Sequence, residues 1–322
     1  MGAALMVERS TTASGRGLLR AKTPAELRRY ERQVVAGSMV APMHGMFVDA
    51  SEWASLSPKE QVSRIVTTLS EIHEGWVFCL FSAAALYGLE IAREQVWPIH
   101  RCSHGKTRLS RNRQLTTHHA HDVVSTTVAG GAVTSPLQTV VDCLCALDFG
   151  RALAIADSAM RVLGLSQEDM RVELALRGEC AGWKIARDAI AYADPLSMNG
   201  GESVARAVMI EQGFMIPQLQ VQRCDPLNAD EVFYVDYLWN LGERGLVAGE
   251  LDGRDKYMDP AMTNGRDAVD VMRDERLRES RISAECVRVL RFSYRDVMDR
   301  ERFTKMLDLY GIPRGAARPI GE

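Results

Sequence analysis

The sequence predicts a mixed α/β (α+β) protein in two parts: a helix-rich N-terminal region carrying a short hairpin, and a C-terminal unit of order αβββαβ with a trailing helix. Three observations predict it. Helix-start signals followed by apolar residues at helical spacing recur between Thr23 and Tyr192. A stretch of turn formers, Asp194-Pro195-Leu196-Ser197-Met198-Asn199-Gly200-Gly201, interrupts them. Beyond it, one helix is followed closely by three strand-like apolar runs.

Composition bounds the function classes. The 322 residues are 46% hydrophobic and 25% charged, a soluble globular balance with material for more than one core. A formal net charge of −3 and a pI near 6.2 exclude coating nucleic acid through bulk charge, but leave room for a locally basic cleft. Seven cysteines, at 79, 102, 143, 145, 180, 224 and 286, show no repeated CxxC spacing. Neither a disulfide framework nor a zinc ribbon is indicated, and reduced thiols in a cytoplasmic protein are expected. Met1 to Lys22 has no apolar run of the signal-peptide kind, and Trp76 to Ala92 is interrupted by Ser82, Gly88 and Glu90. No membrane partner is expected.

Residues 1–22 read as a flexible tail. Thr23-Pro24-Ala25-Glu26 opens a helix: Thr caps it, Pro takes the first helical position, and Glu three residues on closes a capping box. The helix stops near Gly37, and Ser38 to Val48 reads as a hairpin turning at Pro42, His44 and Gly45. A helix followed by a two-stranded wing is the end of a winged-helix unit, assigned to 23–56. Ser57-Pro58-Lys59-Glu60 caps the next helix, with Val62, Ile65, Val66 and Leu69 on its apolar face. A strand from Trp76, a small-residue helix from Ser82, and short strands at Gln95–His100 and Val123–Val128 follow. Helical pattern dominates from Thr134 to Tyr192, so 57–193 reads as a mixed helical domain. Residues 194–201 are the linker, 202–313 the C-terminal unit and 314–322 a second tail.

Within the C-terminal unit the expected elements are a helix at 202–212, strands at 218–223, 232–239 and 245–251, a helix at 266–281, a strand at 286–292 and a helix at 295–310. The run Gly245 to Gly253 is apolar, as for a strand buried on both faces, yet it ends in two carboxylates. Residues two apart on a strand share a side, so Glu250 and Asp252 project together. Asp236 interrupts an earlier apolar strand, Phe233 to Trp239, and approaches Glu250 if the two strands pair. Unpaired buried carboxylates are costly and adjacent ones repel, so a cation is a natural resolution. Mg2+ (or Mn2+) held by Asp236, Glu250 and Asp252 is the expected centre, with Lys256 stabilising phosphate charge and Glu202 completing the shell or orienting water. The bland alternative for any one of these acids is an ion-paired or solvated strand end.

Five ordered motifs then carry a resemblance: Gly200-Gly201-Glu202-Ser203, Val235 to Trp239, Glu250 to Tyr257, Arg273 to Arg278, and Val289 to Phe292. Over about Met198 to Leu309 the chain resembles the DUF559 family, which is similar to the very-short-patch-repair endonucleases of the PD-(D/E)xK superfamily. The resemblance implies a restriction-endonuclease-like fold, with Asp236 matching the first strand acid, Glu250 the acid of the second motif and Glu202 the helix acid. Two positions depart from the pattern: Asp252 stands where the wider superfamily has Lys, and Lys256 where DUF559 commonly has His. Helical spacing puts Arg273 and Arg276 on one expected face, to meet phosphates or, as the bland alternative, to stay solvated and pair with Asp274 and Glu279, while Arg291, in an apolar strand, is the further nucleic-acid-binding candidate.

Ser82 to Leu89 and Thr134 to Asp142 are similar to the AbiEi-type antitoxin and regulator region that precedes DUF559 in actinobacterial proteins. That implies DNA binding by helix Leu27 to Val35, with Arg28, Arg29 and Arg32 as its basic residues, and by the wing around His44. Two functions follow, beside the third possibility of an interaction protein with no nucleic-acid contact. One is a metal-dependent nuclease acting on nucleic acid, duplex DNA in particular, with a homodimer as one way to bring two sites to two strands. The other is a non-catalytic DNA-binding regulator with a degenerate nuclease fold. His118-His119-Ala120-His121 is a poor metal site, because adjacent strand histidines point apart. Cys143-Leu144-Cys145 reads as core, Gly130-Gly131 as a turn, and no phosphate-loop or Gly-x-Ser-x-Gly pattern is found.

Overall fold

The computed structural model describes residues 17–103, 113–119, 123–225, 228–252 and 287–315. Contacts gather into two compact units, Met1–Cys143 with Val162–Leu165, and Leu144–Arg161 with Ser166–Glu322. The architecture is mixed α/β, with eleven α-helices and three small open sheets among the described residues. None of these helices is long and apolar enough to cross a membrane. The helix expected at 266–281, and with it Lys256, Arg273, Arg276 and Arg278, lies outside the described residues.

In the first unit, α1 (Pro24–Val35) starts where the caps require: Thr23 Oγ1 accepts from Glu26 N at 3.2 Å, and the Glu26 carboxylate accepts from Lys22 N at 2.7 Å. No residue of α1 is buried. Strands β2 (Met39–Met43) and β3 (Met46–Asp49) form the hairpin, turning at Gly45 with φ 74°. A third strand, β1 (Leu19–Arg20), pairs with β3 inside the segment expected to be a tail. It is anchored there because Leu18 is buried and its N–H donates to Thr68 Oγ1 at 2.7 Å. Helix α2 (Ala50–Ser55) leads to α3 (Pro58–Ile72), whose Glu60 carboxylate accepts from Ser57 N at 2.8 Å. Val62, Ile65, Val66 and Leu69 form its buried face, as the spacing predicts.

The unit's other sheet has the order β6-β5-β4-β8-β7. Its strands are β4 (Val77–Phe78), β5 (Ile99–Ser103), β6 (Leu115–His119), β7 (Ser125–Val128) and β8 (Gly131–Thr134), with α4 (Leu80–Leu86) between β4 and β5. Gly130-Gly131 is only half a turn: Ala129 and Gly130 turn with φ of 48° and 82°, and Gly131 opens β8. A Cβ on Gly131 would stand 2.9 Å from Ser70 Oγ, so the glycine is needed for close approach of β8 to α3. On β5 and β6, His100 Nδ1 and His118 Nε2 lie 2.9 Å apart. Burial, and secondarily the His118 charge, push the His100 pKa down to about 4.

After α5 (Pro136–Cys145) come α6 (Phe149–Leu163), α7 (Gln167–Arg177), α8 (Trp183–Tyr192) and α9 (Gly200–Glu211). Residues 194–201, read as a linker, lie inside the second unit, because a buried ion pair spans them. Arg206 Nη2 on α9 donates to both carboxylate oxygens of Asp157 on α6, each at 2.8 Å, and Nη1 donates to Tyr192 O at 2.7 Å. Asp157 also accepts from Asp194 N at 2.8 Å.

Along the chain, the C-terminal unit has strands where the sequence predicts them, after α9. Strands β9 (Gln218–Asp225), β10 (Asn228–Asn240), β11 (Leu246–Asp252) and β12 (Val287–Ser293) lie side by side in sequence order. β9, β10 and β11 pair antiparallel, and β11 pairs parallel with β12. Helices α10 (Tyr294–Met298) and α11 (Arg300–Leu309) join α9 over one face, where Tyr237, Trp239, Phe292, Phe303 and Leu307 make the core. Gly249 gives the Trp239 ring its place, since a Cβ at 249 would lie 2.9 Å from Trp239 Cζ3.

Candidate functional site

The β10–β11 ladder runs from Asn240↔Leu246 to Tyr237↔Gly249 and ends there, while β11 continues to Asp252 against β12 alone. A fork therefore opens between β10 and β11, with Asp236 and Glu250 one residue beyond its last rung. Asp236 fills it: Oδ2 accepts from Leu251 N at 3.0 Å, in place of the backbone carbonyl that would continue the ladder.

Strand β10 also rolls at this residue. Phe233 and Val235 pack with Leu238 and Ala248 on one face, whereas Tyr237 and Trp239 belong to the other. Strict alternation would keep 233, 235 and 237 together. The partner strand does the same, with Val221 and Leu219 on opposite faces and Gln220 between them at φ 47°. Asp236 and Gln220 thus face each other at the roll, and Gln220 Nε2 donates to Asp236 Oδ1 at 3.3 Å.

The same amide nitrogen lies 3.5 Å from Glu202 Oε2, so Gln220 bridges two carboxylates. Glu202 is 5% exposed and held at the start of α9. Its carboxylate accepts from Met198 N at 2.8 Å and from Asn199 Nδ2 at 2.6 Å, and Asn199 Oδ1 accepts from Glu202 N at 3.0 Å. Tyr237 ties this helix start to β10, its hydroxyl donating to Glu202 O at 2.9 Å. Burial first, then the Glu202 and Asp236 charges, raise the Tyr237 pKa well above its ordinary value. The phenol is therefore a fixed donor rather than a base.

The third predicted ligand has its own partner. Asp252 Oδ1 pairs with Arg291 Nη1 at 3.2 Å, across the parallel strands β11 and β12. Glu250 is 7% exposed and stands opposite Arg291 in the register. Among the described residues, no group of three His, Cys, Asp or Glu side chains is placed to hold an ion. The expected meeting of Asp236, Glu250 and Asp252 is thus not made: Asp236 takes Leu251 N and Gln220 as donors, and Asp252 takes Arg291. Two of the three carboxylates are thereby satisfied by donors of the protein itself, neutral ones for Asp236 and a guanidinium for Asp252. The oxygens still suit Mg2+, which uses one or two carboxylates and completes its shell with water and phosphate.

Gln220 is a member of the site that the sequence did not single out. The alternation Leu219, Gln220, Val221 marks it as polar and outward, but nothing in the residue type announces a positive φ. On α1, Arg28, Arg29 and Arg32 are all exposed, with Arg28 and Arg32 on one face, and the Arg29 guanidinium lies 4.9 Å from the Tyr30 ring centre.

No family model matches the chain. No solved structure matches it either. Part of it is similar to two curated proteins of Mycobacterium tuberculosis, the uncharacterized protein Rv2248 of strain ATCC 25618 / H37Rv and the uncharacterized protein MT2308 of strain CDC 1551 / Oshkosh. Each is 32% identical over 165 residues, which is 51% of this chain and 58% of the relative. The chain thus spans little more than half the length of the curated relatives it matches.

Proposed function

We propose that the protein is a metal-dependent phosphodiesterase acting on nucleic acid, duplex DNA in particular. The observation that carries this reading is the fork: Asp236 turned into the gap between β10 and β11, Glu250 at the same level, and Glu202 one glutamine away. In this reading Asp236 and Glu250 hold Mg2+ or Mn2+, which when bound polarises a phosphoryl oxygen and lowers the pKa of water. Glu202, fixed by the Asn199 cap, orients water or accepts its proton, and Arg28, Arg29 and Arg32 contact phosphates of the duplex. Roles for Lys256, Arg273 and Arg276 rest on the sequence alone.

A specific observation favours a second reading. The Asp252–Arg291 ion pair occupies the place where the superfamily pattern has a lysine, and Asp236 at the fork already takes protein donors. A DNA-binding protein with a retired catalytic site would look the same there.

The two separate on one experiment. The purified chain is incubated with supercoiled plasmid in Mg2+, in Mn2+ and in EDTA, beside the Asp236→Asn and Glu250→Gln variants. Metal-dependent nicking that both substitutions abolish supports the phosphodiesterase. Duplex binding without metal-dependent cutting overturns it in favour of the regulator.

A further inference from the structure

Cys180 lies in the short link between α7 and α8, with Gly178 and Gly182 at its ends, both at positive φ (74° and 78°). Gly182 lets this link press against the last turn of α5: a Cβ there would fall 1.9 Å from the Cys145 carbonyl oxygen, which no other residue type tolerates. The close approach brings the Cys180 Sγ to 3.8 Å from the Cys145 Sγ. Cys180 is exposed and Cys145 partly buried. A disulfide has sulfurs about 2.05 Å apart, so the two sulfurs have only the remaining gap to close for a bond to form.

We infer that Cys145 and Cys180 form a peroxide-reactive dithiol that closes to an intrachain disulfide. The exposed Cys180 thiolate attacks one oxygen of a hydroperoxide, and the O–O bond breaks. With hydrogen peroxide this leaves Cys180 as sulfenic acid and releases one water. The Cys145 sulfur then attacks the Cys180 sulfur, the S–O bond breaks, and the departing hydroxide leaves as a second water with the Cys145 proton. Two thiols and one peroxide become one disulfide and two waters. The order of attack follows from the surroundings: burial, then the neighbouring Cys180 sulfur, raise the Cys145 pKa to about 11, against a smaller opposing pull from Arg177. Cys145 therefore resolves rather than initiates. The other adjacent thiols, Cys79 and Cys102, are both buried, out of reach of an oxidant in solution.

The test is peptide mapping of the full chain by mass spectrometry under non-reducing conditions, after reduction and then limited hydrogen peroxide. The expected product is a linked pair of peptides carrying Cys145 and Cys180, lighter by two hydrogens and restored by dithiothreitol. In Cys145→Ser, dimedone is expected to trap a sulfenic acid on Cys180. In Cys180→Ser, an exposed and structurally mild change, the linked pair is expected to vanish with the circular dichroism spectrum unchanged. Oxidation of Cys224 while Cys145 and Cys180 stay as thiols would overturn the proposal. So would linkage of Cys180 to Cys224, to Cys286 or to a second chain, or over-oxidation of Cys180 without a link to Cys145.

Discussion

Replacing Arg206 with Met removes the cation from a pair in which both side chains are almost wholly out of solvent, 4% and 0% exposed. Three hydrogen bonds go with it, two to the Asp157 carboxylate and one to Tyr192 O. A bidentate charge-assisted interaction is worth about 3 kcal/mol, and taking the donor from a carbonyl about 1 more, giving about 4 kcal/mol. That lies within the roughly 3–5 kcal/mol seen when one partner of a buried pair is deleted. In urea, with a slope of about 3 kcal/mol/M, the unfolding midpoint falls by about 1.3 M. Burial already raises the Asp157 pKa, outweighing the opposing pull of Arg206. A folded value above the unfolded one means that this group's contribution is complete below the ordinary carboxylate range and lost as pH rises through the raised value. Deleting Arg206 raises it further, so the deficit of Arg206→Met shrinks as pH is lowered from about 7 to about 5. The double variant Asp157→Leu/Arg206→Met leaves no orphaned charge and recovers part of the loss, the remainder lying with Tyr192 O and Asp194 N, which lose their partners. A deficit below about 1 kcal/mol in the single variant, or a double variant no more stable than the single one, refutes this account of the pair.

Gly249→Ala forces a methyl group against the Trp239 ring and costs about 1–3 kcal/mol, read as a lower melting temperature, with partial rescue by Trp239→Phe. Asp236→Ala lowers metal-dependent plasmid nicking by about 100-fold or more, on the scale of losing one group that stabilises transition-state charge, and unchanged nicking removes Asp236 from the site. Arg28→Glu with Arg32→Glu weakens duplex binding for all sequences alike, and the slope of log K against log salt falls by about 0.9 for each phosphate that is no longer neutralised; equal slopes would clear α1 of any part in binding. His100 is expected to titrate near pH 4 by NMR. Its folded pKa lies below the ordinary 6.5, so its contribution to stability is present above that value and lost as pH falls toward about 4.

Where apolar period and capping agreed, the elements were readable from residues alone. Thr23 and Ser57 mark the starts of α1 and α3, and the runs around Val235 and Val247 mark adjacent antiparallel strands. β6 was not, because Leu115-Thr116-Thr117-His118-His119 is polar and gains strand form only from pairing with β5. The acids at the fork were found by type and spacing, but their partners were not. The roll at Asp236 and Gln220 breaks the alternation on which the spacing depended, and the Arg291–Asp252 pair joins residues 39 apart in the chain. Asp157 carried a readable signal, a lone acid within Ala154-Ile155-Ala156-Asp157-Ser158-Ala159, a run otherwise fit for burial. Its mate, 49 residues on, did not.

The parallel pairing of β11 with β12 joins Leu246 to Val287 across 41 positions of sequence. During synthesis, β9, β10 and β11 emerge and zip into a hairpin meander while β11 still lacks its outer neighbour. For that interval its apolar row is an unprotected rim, open to strands of other nascent chains. A chain cut off before residue 287 would keep that rim for good, so premature termination there should yield inclusion bodies instead of a shorter folded product.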